Sequence, residues 1–187
     1  EHYNNDPNII VLNPREYSTD KDGKFVPDYI KTMEKIKATL QELRDNLDEY
    51  NLKAVVFDGL DIFLGEICEQ QMRADEHVDV SGGLSQRFWK KRNDYYFQTL
   101  NLLFDIDVDK YFITHYAPKR RNDKTGDLDD DRYESKLNNL LVFACQKSTP
   151  DKMHQIVEFT DNTKITKGVK QVELVATIIS DRRSLDS

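Results

Sequence analysis

An α/β architecture in three layers, a mostly parallel sheet with antiparallel strands toward the C-terminus, follows from three features of the chain. Its apolar runs "NIIVLN", "KAVVFD" and "KYFITH" are continuous rather than alternating, as strands covered on both faces are. Segments with helical periodicity separate them, and the order strand, helix, strand, helix, strand implies right-handed crossovers. The 187 residues, 38 % hydrophobic, 33 % charged and 10 % aromatic, suffice for one domain with a sizeable core and fall outside the disordered class.

Each element has its own justification. Asn8 to Asn13 is a short apolar run closed by Pro14, hence a buried strand entering a loop. From Asp28 to about Glu49, Ile30, Met33, Ile36, Leu40, Leu43 and Leu47 recur in steps of three and four, one face of a helix. Lys53 to Asp58 is the second strand. Residues 65–83 are mixed and end in "DVSGG", which reads as a mobile loop with a stop signal. Ser85 is placed to cap a helix over Gln86 to Phe104, with Phe88, Trp89, Tyr95, Tyr96, Leu100 and Leu103 mostly inward. Lys110 to His115 is the third buried strand. The charged stretch Tyr116 to Glu134 is a loop longer than compact domains usually carry. Asn139 to Gln146, His154 to Thr160 and Val172 to Ser180 are strand-like, the last two an antiparallel pair.

Charge and cysteines narrow the function classes. A net charge of −7 argues against a surface that binds DNA by bulk electrostatics, and leaves room only for local basic contacts. Cys68 and Cys145 stand outside any C-x-x-C spacing, which suggests neither a zinc site nor a disulfide framework and points to a reducing, cytoplasmic compartment. No apolar run approaches the roughly 20 residues that cross a bilayer, so no membrane association is expected.

Ligands of parallel α/β sheets bind beyond the carboxyl ends of the strands, and three such ends here carry polar groups. Asp58 follows an apolar strand, where a phosphate-transferring site needs a carboxylate to hold magnesium through water; the alternative is a plain turn with Gly59. Asp61, one turn on, either assists or caps. Thr114 and His115 close the third strand, positioned to sense a terminal phosphate or orient water, although a lone histidine is more often structural. Glu16 could orient an attacking water, or be an ordinary exposed glutamate. Lys119, Arg120 and Arg121, and further on Arg182 and Arg183, are either bidentate phosphate contacts or common surface cations; the first cluster is also a candidate for touching DNA.

Several patterns fail. "DIDVDK" and "DLDDDR" space their aspartates like calcium loops, but Lys110 and Arg132 occupy the position that requires glycine. The chain also contains no G-x-x-x-x-G-K-[ST], the loop whose amides cradle phosphates; its one Gly-Lys pair, Gly23-Lys24, is followed by Phe25.

The order of parts nevertheless resembles a family, the RecA-like P-loop ATPases of bacteriophages and related mobile elements. The matching pieces are "IIVLNPREY", the helix "DYIKTMEKIKATLQEL", the Walker B-like "KAVVFDGLDIFL", the helix "FWKKRNDYYFQTLNLL", the sensor-like "KYFITHYAPKRR" and the terminal "ELVATIISDRRS". "VVFDG" with "FITH" is the most specific pair. The resemblance implies an enzyme that uses ATP and Mg2+ in DNA recombination, replication or packaging in the host cytoplasm. It also implies a homo-oligomeric ring or filament in which arginines reach the neighbouring nucleotide. On that pattern Asp58 is the Walker B aspartate, Thr114 or His115 the phosphate sensor, and Arg182 or Arg183 a contact to the terminal phosphate. The Walker A loop is missing, so the expectation is a single domain over 1–187 that is a fragment starting after that loop, a conclusion favoured by the absence of an initiator methionine. The alternatives are a non-catalytic scaffold or assembly subunit with a degenerate site, and a metal-dependent nuclease or phosphatase using Asp58 and Asp61.

Overall fold

The computed structural model describes residues 6–79, 84–121, 125–128, 130–166 and 169–181. Packing divides the chain into two units, Glu1–Ile113 and Thr114–Ser187.

In the first unit, strands β1 (Tyr17–Thr19) and β2 (Phe25–Pro27) form a short antiparallel hairpin. Helix α1 (Tyr29–Asp45) begins at Asp28, whose carboxylate accepts the Lys31 amide at 3.0 Å. That bond, with the neighbouring Lys31 ammonium, holds the Asp28 carboxyl below its usual range. Thr32, Met33, Ile36 and Leu40 make the buried stripe, so the periodicity located the helix correctly. The helix stops short of Glu49: Asn46 interrupts it, and α2 (Leu47–Tyr50) is closed by Asn51 in the left-handed conformation.

Strand β3 (Ala54–Asp58) leads into a helical run made of α3 (Leu60–Ile62), a π-helix (Phe63–Cys68) and α4 (Glu69–Glu76). The mobile loop expected from residue 65 is therefore helix as far as Glu76; in "DVSGG", residues 80–83 lie outside the described residues. Helix α5 (Gln86–Phe104) matches its expected span, but the Ser85 side chain makes no capping bond; its carbonyl accepts the amides of Phe88 and Trp89 instead. Strand β4 (Asp109–Ile113) then pairs parallel with β3 in the register Ala54 to Asp109 through Asp58 to Ile113. The core gathers where these helices meet the sheet: Leu60, Phe63, Met72, Tyr96, Leu100, Leu103 and Ile106 are buried. Aromatic contacts run from Phe57 through Phe63 to Tyr96, with centroids 5.3 and 5.7 Å apart.

The second unit is built of antiparallel pairs: β5 (Tyr116–Pro118) with β6 (Leu141–Phe143), β7 (Gln155–Asp161) with β10 (Leu174–Asp181), and β8 (Lys164–Thr166) with β9 (Val169–Gln171). Its long charged segment is tied down by bridges from Arg121 to Leu128 and from Glu134 to Val142.

The three-layer, mostly parallel sheet is overturned. Among the described residues every sheet has two strands, and only β3 with β4 is parallel. Asn8 to Asn13 forms no strand, and Ile10 is 68 % exposed. Nor is β3 covered on both faces: Val55 and Phe57 turn toward the helices, while Val56 remains 59 % exposed. Continuous apolarity permits burial on two sides but does not supply a second layer, and among the described residues helices pack on one face alone.

Candidate functional site

The parallel pair ends at a carboxylate. Asp58 is exposed at the last position of β3, directly opposite Ile113, and the next amide, that of Gly59, donates to the Ile113 carbonyl at 3.1 Å. Gly59 has φ +90°, a left-handed conformation that costs a side chain about 1–2 kcal/mol. Its carbonyl accepts the Phe63 amide at 2.9 Å, so the chain turns into a helix immediately after the carboxylate. Asp61 lies half-buried in the first turn of that helix. The π-helix that follows is a form enriched at functional sites.

Behind this tip the helical run is held by charge. Arg73, 7 % exposed, donates to Glu69 through Nε at 3.0 Å and Nη2 at 2.9 Å, and through Nη1 to the Asp79 carbonyl at 2.5 Å. Arg92 reaches the same carboxylate at 3.8 Å and covers the Trp89 ring 4.1 Å from its centroid. Burial pushes the Cys68 thiol far up, which makes it an inert core group rather than a nucleophile. A cavity of about 380 Å3 is lined by Ser18, Tyr29, Gln70, Arg73 and Val78 among others; Asp58 and Asp61 are not part of its wall.

The other sequence candidates have separate surroundings. Glu16 lies against α1: its carboxylate meets Lys35 Nζ at 2.5 Å, its amide donates to Thr32 Oγ1 at 3.0 Å, and its carbonyl accepts the Asp28 amide. Thr114 and His115 open the second unit, where the Thr114 hydroxyl donates weakly to the His115 carbonyl at 3.5 Å and that carbonyl accepts the Ala144 amide. Lys119 pairs with Glu134, the Arg120 amide donates to Asp130, and Arg121 donates to the Gly126 carbonyl. Arg182 and Arg183 lie outside the described residues.

Two buried charged groups were missed, Arg73 and Glu158. Arg73 sits four residues from Glu69 on one helix, a spacing that was open to reading. Glu158, 1 % exposed on β7, accepts the Ser135 hydroxyl at 3.2 Å and the Lys136 amide at 3.0 Å. No local pattern marks a strand glutamate as buried.

Magnesium is the cation the sequence expectation implies. Among the described residues no group of three or more His, Cys, Asp and Glu side chains could hold a metal ion. Asp58 and Asp61 therefore belong to no all-protein metal cage among the described residues.

No family model matches the chain, nor does any curated protein or solved structure. Among the described residues no helix is long and apolar enough to cross a membrane.

Proposed function

We propose that this chain is the magnesium-binding side of an ATP-hydrolysing core of the kind found in RecA-like P-loop ATPases, in a protein that processes DNA. The observation that carries the reading is the exposed carboxylate of Asp58 at the carboxyl end of a parallel strand pair, followed by a glycine turn into a helix. Asp58 would hold magnesium through water, and Asp61 would support it; bound magnesium supplies charge neutralisation on the phosphates. The residues that cradle the phosphates themselves are not in these 187, which contain no G-x-x-x-x-G-K-[ST]. On this reading the 187-residue chain alone binds ATP weakly, and micromolar affinity in a titration would count against it.

DNA contact falls to Lys119, Arg120 and Arg121. Glu134 already pairs with Lys119, so the cluster's attraction for phosphate is local and partly offset.

The test is magnesium-dependent ATP hydrolysis by the protein expressed from its complete reading frame. Turnover supports the proposal. A folded protein without ATP binding or turnover favours a second reading, a non-catalytic assembly subunit, which the missing phosphate loop recommends.

A further inference from the structure

Glu158 on β7 is a buried carboxylate, 1 % exposed, that the proposed chemistry leaves unused. Its oxygens accept the Ser135 hydroxyl at 3.2 Å and the Lys136 amide at 3.0 Å, and Thr177 stands opposite it on β10. The Tyr116 phenol on β5 lies beside it: burial first, then the charge of Glu158, keep that phenol protonated to higher pH than usual. Among the described residues no Lys, Arg or His pairs with this carboxylate, and the Lys136 ammonium is turned onto the Tyr133 ring, 5.8 Å from its centroid. Buried charges are ordinarily paired with a cation or a metal. This one is set among neutral donors.

Both protons that reach Glu158 from Ser135 and Lys136 come from one turn. Ser135 Oγ also accepts the amides of Leu137 and Asn138 at 3.1 Å, so its single proton goes to Glu158 and both of its lone pairs are taken. The same turn carries the returning chain. The Ser135 amide donates to the Leu141 carbonyl at 3.0 Å and the Phe143 amide to the Tyr133 carbonyl at 2.9 Å; between them Glu134 bridges to Val142 and pairs with Lys119.

We propose that Glu158 is a proton-operated latch: ionised, it holds the turn Ser135–Asn138 onto β7, and protonated, it releases that turn and loosens Glu134 from Lys119. An ionised carboxylate only accepts hydrogen bonds, and those bonds are about twice as strong as neutral ones. A proton added to it becomes a donor where the Ser135 hydroxyl and the Lys136 amide already donate, and Ser135 Oγ has no lone pair left to receive it. The bonds to the turn therefore weaken, while the backbone ladder of β7 with β10 is untouched. The latch involves neither nucleotide nor DNA and stands apart from the ATPase reading.

Amide hydrogen exchange of the 187-residue chain at about pH 7 and about pH 4, corrected for intrinsic rates, tests it. The Lys136, Leu137 and Asn138 amides should lose protection at least about 10-fold on acidification, while those of β7 and β10 keep theirs. Glu158→Gln, neutral at every pH, should show that loss already at about pH 7 and change little further in acid. Ser135→Ala removes the acceptor of the Leu137 and Asn138 amides, yet its Lys136 amide should still respond to pH. Equal protection at both pH values in the parent overturns the proposal, as does parent-like protection or parent-like pH dependence in Glu158→Gln. A loss that spreads along β7 and β10 overturns it too, because Glu158 would then hold the fold rather than the turn.

Discussion

Asp58 and Ile113 face each other at the carboxyl ends of two parallel strands, and the Gly59 amide closes the pair with a 3.1 Å hydrogen bond to the Ile113 carbonyl. The carboxylate is thereby fixed in height relative to β4 while its oxygens remain exposed.

Gly59→Ala tests how firmly that turn is set. A Cβ there would meet Ile62 at 3.7 Å, an ordinary contact, so the cost is backbone strain at φ +90° and not crowding. The expected loss is about 1–2 kcal/mol in urea unfolding. No change would mean the turn relaxes freely.

Arg73→Met probes the helical wall. The substitution keeps much of the volume but removes both bonds to Glu69, leaving that carboxylate with Arg92 at 3.8 Å. Because Glu69 is part-exposed and keeps Arg92 nearby, the expected cost is about 1–3 kcal/mol, and an unfolding midpoint within error of the parent would show that the ion pair contributes nothing.

Acid stability carries the mark of Asp130. Its carboxylate receives two bonds from the Arg132 guanidinium, at 2.9 and 2.6 Å, together with the Arg120 and Arg132 amides; these hold its pKa far below the ordinary 3.8. The folded value lies beneath the unfolded one, so the stabilisation is fully present above about pH 4 and is lost as pH falls through the folded value. Asp130→Asn should cost about 1–3 kcal/mol at neutral pH. The deficit should shrink below pH 4; a deficit that stays constant in acid unfolding curves would contradict the assignment.

Replacing Lys119, Arg120 and Arg121 together by alanine should weaken DNA binding by the protein from its complete reading frame. Because Lys119 already pairs with Glu134, the slope of log affinity against log salt should fall by about 1–2 rather than the full three charges. An unchanged slope removes this loop from any DNA contact.

Helices were the legible part of this fold. The stripe Met33, Ile36, Leu40 and the span Gln86–Phe104 are local periodicities, and local periodicity is what a sequence records. Of the sheet assembly only the antiparallel pair of β7 with β10 was legible; the rest was not, because pairing depends on which distant segment arrives. "NIIVLN" has the composition of a buried strand, yet in this structure its side chains face solvent. The helix over 63–76 hid behind mixed polarity: its buried Phe63, Leu64, Ile67 and Cys68 follow ordinary helical spacing, but the buried Arg73 breaks the apolar stripe. At the site, the carboxylate and glycine of Asp58-Gly59 were readable as a strand end. The ties of Glu16 to Lys35 and of Lys119 to Glu134 were not, since each joins residues many positions apart.

The most direct measurement is steady-state ATP hydrolysis, with magnesium, by the complete protein and its Asp58→Asn variant, compared at equal fold by circular dichroism. The account predicts a fall of at least about 100-fold in kcat, the loss of roughly 2.7 kcal/mol of transition-state stabilisation, because the neutral amide no longer holds the cation. Turnover by Asp58→Asn equal to that of the parent would contradict it.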